Sequence, residues 1–141
     1  MVLEHEEIKK LLRQRYPLLL VDRVLEMDDA CALGIKNVTG TDPSLLGHFP
    51  DEPLYPGVLL VEAMSQLGGI LMASDERFRH IKKGYLAKID RVKFEHFVRP
   101  GDQIVLRAVK LQALGKLARV SVQALVAGSE VAKGEITYCF E

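Results

Sequence analysis

A buried-looking glutamate, a loop histidine and a glycine at a helix start carry most of the chemistry legible in this 141-residue chain. Glu62 interrupts the longest apolar stretch, residues 58–73, with no Lys, Arg or His within one helical turn of it. An ionised carboxylate away from water is costly unless it is paired or hydrogen-bonded. One reading ties Glu62 to backbone groups or to a distant arginine; the other makes it a general acid. His48 lies in Gly47-His48-Phe49-Pro50, between a glycine that lets backbone approach closely and a stiff Phe-Pro pair. Imidazole is the usual general base near pH 7, and its structural alternative is a loop histidine that holds backbone. Gly57 follows Pro56 where a helix should begin, and a helix N-terminus offers unpaired N–H groups to an oxygen anion. A base, an acid and an oxyanion-binding amide together suit α-proton abstraction beside a thioester with loss of a β-hydroxyl.

Other chemistries lack residues. There is no Gly-rich phosphate loop, no G-x-S-x-G elbow and no metal-ligand spacing, and Cys31 and Cys139 stand far apart without a Cys-x-x-Cys pattern. No cofactor or metal is expected. His5 in a mobile terminus, His80 in a charged run and His96 beside Glu95 read as solvated.

These residues must be positioned by the elements around them. Ile8, Leu11 and Leu12 have the spacing of a short amphipathic helix that Pro17 should stop at Tyr16. Residues 18–27 and 31–39 read as a hairpin. Residues 40–57 hold Gly40, Pro43, Gly47, Pro50, Pro53, Pro56 and Gly57, a density of breakers that predicts a long irregular loop of functional kind. The following 16 residues predict a helix covered on nearly every face, with Glu62, Ser65, Gln66 and Gly69 at i, i+3, i+4, i+7 as one polar or small stripe. From Gly84 the period changes to strands over 85–97, 103–114, 117–127 and 130–140, read as an antiparallel meander. One long helix and five to six antiparallel strands predict an α+β domain over residues 1–141, the sheet wrapped around the buried helix.

Composition sets outer limits. A hydrophobic share of 48% and a charged share of 27% are those of a globular chain. Nineteen basic and nineteen acidic residues argue against a general nucleic-acid binder. The 16-residue apolar run is short of a membrane span, and residues 1–7 lack the pattern of a secretory signal, so a cytoplasmic location is expected. The balance of charge is uneven: residues 77–93 hold seven basic groups and one acidic.

The run Leu46-Gly47-His48-Phe49-Pro50-x-x-Pro53-x-x-Pro56-Gly57-Val58-Leu59-x-x-Glu62-Ala63-Met64-x-Gln66 resembles the signature of the 3-hydroxyacyl-[acyl-carrier-protein] dehydratases of type II fatty acid synthesis. Arg15-Tyr16-Pro17-x-Leu19-Leu20-Val21-Asp22-Arg23, Val92-Lys93-Phe94 and Pro100-Gly101-Asp102 extend the likeness over nearly the whole chain. The resemblance implies a hot-dog fold, homodimers that assemble further into hexamers, and a site whose His48 and Glu62 come from different protomers. It further implies that His48 abstracts the C2 proton of a (3R)-hydroxyacyl thioester and Glu62 protonates the departing hydroxyl. By the same resemblance Gly57 binds the thioester oxygen, Gln66 orients Glu62, and Phe49, Val58 and Tyr85 line the acyl tunnel.

The carrier protein is acidic, which makes Arg77, Arg79, Lys82, Lys83, Lys88, Arg91 and Lys93 the expected docking surface. Relatives commonly carry Pro-His where this chain has Arg13-Gln14, and basic residues with proline where it has Glu95-His96-Phe97. These departures are expected to bear on carrier recognition and pathway and to leave the chemistry untouched. Alternative functions are a dehydratase of a specialised polyene or lipid pathway, an acyl thioesterase on the same fold, and a non-catalytic acyl-binding subunit.

Overall fold

The computed structural model describes residues 2–81 and 83–141, so Lys82 of the expected docking surface lies outside the described residues. The chain begins with α1, His5–Leu11, which ends well before Tyr16. His5, expected in a mobile terminus, is the first residue of that helix. The early stop has a side-chain cause. The Arg15 guanidinium donates to the carbonyls of Lys9, Leu12 and Gln14 at 2.8–3.0 Å, satisfying acceptors that a longer helix would have used itself.

A hairpin follows, β1 (Arg23–Met27) and β2 (Cys31–Asn37), turned by Asp28, whose Oδ1 accepts from the N–H groups of Ala30 and Cys31 at 2.8 Å each. Residues 18–22, expected as strand, are not part of the hairpin. Their polar backbone groups are taken elsewhere: Leu18 O and Leu20 N by the Gln66 side chain, and Asp22 N by Ile35 O. The breaker-rich segment after β2 is irregular as expected, apart from a single 3₁₀ turn, Pro43–Leu45.

The long helix, α2, spans Gly57–Ala73. Pro56 precedes it with extended φ/ψ, and its carbonyl accepts from both Leu59 and Leu60. At the other end Ser74 returns its N–H and its hydroxyl to Ile70 O. Four long strands complete the chain: β3 (Gly84–Phe94), β4 (Gln103–Leu114), β5 (Leu117–Val126) and β6 (Ser129–Phe140).

All six strands form one antiparallel sheet in the order β1-β2-β4-β5-β6-β3. The expected meander therefore holds for β4, β5 and β6 only. β3 pairs with β6 at the far edge, and β2 occupies the place beside β4. The reason is the crossing segment 95–102, which hydrogen-bonds to Val131 at one end and to Val38 at the other and so carries the chain from one side of the sheet to the other.

α2 lies along one face of this sheet and touches β2, β3, β4, β5 and β6. Ala63, Leu67, Ile70 and Met72 are wholly inaccessible, as are Ile104 and Ile136 opposite. Along β6 the expected alternation is present, with Ala132, Gly134, Ile136, Tyr138 and Phe140 buried and Lys133 exposed between them. Helix and sheet approach closely at Gly68, where the Tyr138 hydroxyl reaches past the glycine to donate to Ser65 O at 2.5 Å. A methyl group at position 68 would collide with that hydroxyl and stand 2.8 Å from Val120 Cγ2. Gly68→Ala is therefore expected to destabilise the fold by about 1–3 kcal/mol through overpacking, measured as a lower midpoint in denaturant unfolding.

Candidate active site

The polar stripe of α2 faces a cavity. Glu62, Ser65, Gln66, Gly69 and Ala73 form its floor, and Gln14, Ile81, Gly84, Leu86 and Tyr138 are among its other walls, around about 420 Å³. Gln66 is 2% exposed and spends its whole amide on fixed partners. Its Oε1 accepts from Leu20 N at 2.8 Å, and its Nε2 donates to Leu18 O at 2.7 Å and to Glu62 Oε2 at 2.8 Å. Gln14 Nε2 also donates to Glu62 Oε2, at 3.4 Å. Of the two sequence readings of Glu62, the tie to backbone or to arginine is replaced by a tie to two neutral amides. Burial, reinforced by the Glu62 charge, pushes the Tyr138 phenol far above its ordinary pKa, so it stays a donor.

His48 lines a second cavity of about 240 Å³, with Phe49, Tyr55, Gly57, Phe94 and His96 among its walls. The His48 Nδ1 lies 2.8 Å from Leu54 O. A carbonyl only accepts, so Nδ1 carries the hydrogen and Nε2 of the neutral ring keeps its lone pair, the arrangement a general base needs. The Phe49 ring stands 4.2 Å from the imidazole. Phe49, in the Phe-Pro pair expected to be stiff, has φ +54°, left-handed backbone that a phenylalanine adopts only under restraint. Gly57 opens α2 directly against the Phe94 ring, and a Cβ there would stand 3.1 Å from Phe94 Cε1. Gly57, the first residue of α2, thus sits in the wall of the histidine cavity.

The loop that carries His48 is anchored at its base. Lys36 of β2 is buried and its Nζ lies 3.2 Å from Asp42 Oδ2. Asp42 Oδ1 accepts from both the N–H and the hydroxyl of Ser44, holding the 3₁₀ turn. Burial alone would push the Asp42 carboxyl up, but the Ser44 hydrogen bonds and the Lys36 ammonium outweigh it and hold it below the usual aspartate range. Burial raises the Tyr55 phenol well above its ordinary value, helped by the charges of Asp42, Asp22 and Glu62.

Within one chain the two catalytic candidates line different cavities. Of the expected tunnel residues, Phe49 is in the histidine cavity, whereas Val58 (77% exposed) and Tyr85 (45%) are on the surface and line neither. The expected docking residues do not form one patch. Arg77 is tied to Asp75 through Nε and Nη2 at 3.1 and 2.9 Å, Lys88 faces Asp90, and Arg91 faces Glu135, each at 3.5 Å. The Arg77 and Lys110 contacts hold the Asp75 carboxyl far below the usual range. Arg79, Lys83 and Lys93 are exposed, with no acidic partner among the described residues. Lys83 directly precedes β3 and Lys93 is its last residue but one, which sets them roughly 30 Å apart.

Sequence reasoning missed four residues here. Arg13 and Gln14 wall the glutamate cavity, and His96 and Phe97, both exposed, line the histidine cavity. These are the positions where the chain departs from the resembled signature. The departures therefore line the two cavities, and that deviation was the available signal.

A family model described as a FabA-like domain matches residues 12–136. A 3-hydroxyacyl-[acyl-carrier-protein] dehydratase FabZ of Caldanaerobacter subterraneus subsp. tengcongensis is 50% identical over 105 residues, 74% of this chain and 74% of that protein. The FabZ of Streptococcus equi subsp. zooepidemicus is 42% identical over 139 residues, 99% of each. Among solved structures, the dehydratase heterocomplex ApeI:P from Xenorhabdus doucetiae is similar with a TM-score of 0.82 at 17% identity, covering 95% of this chain and 90% of that one. A hypothetical thioesterase with coenzyme A from Streptococcus pneumoniae reaches 0.67 at 14% identity, covering 84% of each. At such identities the structural likeness speaks for the hot-dog fold alone.

The Lys36–Asp42 pair generates a prediction about pH. A carboxyl held below its unfolded value stabilises the fold at neutral pH, and that contribution is lost as pH falls through the folded value. Asp42→Asn is expected to cost about 2 kcal/mol at pH 7, with the gap to wild type closing below the ordinary aspartate range. Denaturant unfolding at a series of pH values measures it; a gap that is constant from pH 7 to 3 would refute the role of the charge.

Proposed function

The chain belongs to the FabA-like family and, within it, to the 3-hydroxyacyl-[acyl-carrier-protein] dehydratases, and on that premise we propose that it converts (3R)-hydroxyacyl-[acyl-carrier-protein] to the trans-2-enoyl thioester and water in fatty acid synthesis, acting in the cytoplasm. His48 Nε2 takes the C2 proton, and the N–H of Gly57 at the start of α2 donates a hydrogen bond to the thioester oxygen as negative charge develops on it. Glu62 gives its proton to the 3-hydroxyl as the C3–O bond breaks, and water leaves. The proton gained by His48 and the one lost by Glu62 are then exchanged through solvent, which restores both groups. The carrier's phosphopantetheine arm belongs to the substrate, and no other group is required.

The observation that carries this reading is the placement of the two cavities along β3. Gly84 and Leu86, at the beginning of the strand, wall the glutamate cavity; Phe94, at its end, walls the histidine cavity. β3 is also the free edge of the sheet, without one buried residue, and exposes Tyr85, Leu86, Ile89 and Phe94. A bare apolar edge of this kind calls for a covering strand. A twofold pairing of β3 with a second copy is necessarily antiparallel, and sets the beginning of one strand beside the end of the other. His48 of one copy then meets Glu62 of its mate, giving two composite sites per homodimer; further assembly into a hexamer would pair such dimers in threes.

The same pairing gathers the scattered basic residues. Arg79 and Lys83 of one copy come beside Arg91 and Lys93 of the other, around the mouth that Arg13 also lines. An acidic carrier docked there would lose on-rate as salt rises.

Hydration of a crotonyl carrier thioester, the reverse reaction, tests the assignment by loss of enoyl absorbance. His48→Ala and Glu62→Gln are each expected to slow it by about two decades or more; full activity in both would refute the roles. Mixing the two variants under subunit exchange should return about one quarter of wild-type activity, because half the dimers are hybrids with one intact site. No recovery despite demonstrated exchange would refute the composite site.

A further inference from the structure

Two amides converge on a single oxygen of Glu62. The orientation of Gln66 admits no alternative, because the Leu20 N–H can only donate and the Leu18 carbonyl can only accept. Its remaining amide hydrogen is thereby committed to Glu62 Oε2. Gln14 delivers a second N–H to the same oxygen from a different element, the segment between α1 and β1, where Arg15 pins the neighbouring carbonyls. Among the described residues Oε1 accepts no hydrogen bond.

We propose that Gln14 is a positioning residue which, together with Gln66, reserves Oε2 of Glu62 as acceptor and so places the transferable proton on Oε1, the oxygen left for the substrate hydroxyl. This rests on the assignment of Glu62 as the acid. A protonated carboxyl bears its hydrogen on one oxygen, and an oxygen that already receives two N–H donors is not that one. The terminal torsion of a glutamate is soft, so one donor alone selects the oxygen without fixing the plane of the group. A second donor from another direction fixes the plane. Both donors are neutral, so the carboxyl is held without a competing charge beside the leaving oxygen. Gln66 performs the part of this task that α2 itself can supply, one turn along its own helix; Gln14 supplies the part that α2 cannot.

The test is steady-state dehydration of 3-hydroxybutyryl carrier by the full chain. Gln14→Met keeps the length of the side chain and removes its donor, and is expected to lower kcat about fivefold, with KM within about twofold. Gln14→His, which retains an N–H donor, should regain most of that loss. In the Glu62→Gln background, followed by single-turnover measurement, Gln14→Met should change the residual rate no further. Wild-type kcat in Gln14→Met would overturn the inference. An equal loss in both backgrounds would overturn it too, because the effect would not pass through the carboxyl. If Glu62→Gln itself kept wild-type activity, the acid assignment would fail first and take this inference with it, an outcome distinct from the other two.

Discussion

A helix that is apolar on nearly every side must be covered on nearly every side, and the burial of α2 governs the arrangement of everything around it. The sheet meets this demand along one face, using strands from both halves of the chain. Gly68 permits the close approach and the Tyr138 hydroxyl locks it by bonding to Ser65 O. With the helix fixed in rotation, its four-residue polar stripe can point in only one direction, into the cavity that holds Glu62. The same rotation leaves Gly57, the first residue of α2, against Phe94 in the wall of the histidine cavity.

Each catalytic candidate is then held by groups that carry no charge of their own. Glu62 rests on two side-chain amides, and His48 rests on one backbone carbonyl. Charge is used one layer further out, where the Lys36–Asp42 pair anchors the base of the histidine loop and the Arg15 guanidinium closes α1. This separation has a chemical benefit. Neutral partners orient an acid and a base without stabilising one protonation state so strongly that proton transfer is impeded.

β3 shows how an edge strand can be part of a site without contributing a catalytic group. It is the last strand in the sheet order although it is third in the chain, because the 95–102 segment crosses back to begin β4. That displacement leaves an apolar edge uncovered and puts the glutamate and histidine cavities at its two ends. In a single chain the two catalytic candidates line separate cavities, and β3 is the strand between them on which, under the proposed function, a second copy would pair.

Much of this was legible in the residues. The spacing of Glu62, Ser65, Gln66 and Gly69 determined that the buried helix would show one polar stripe, and the density of Pro and Gly over residues 40–57 determined an irregular loop around His48. Alternation determined which face of β6 is buried. These are local properties, set by periods of two and 3.6 residues and by the backbone limits of proline and glycine. What the sequence could not settle is nonlocal. The place of β3 in the sheet, the capture of residues 18–20 by Gln66, the end of α1 at Leu11 and the contact of Gln14 with Glu62 each join residues through hydrogen bonds whose partners are chosen by three-dimensional proximity. A residue's type states what it can donate or accept; only the packed fold decides which partner stands within reach.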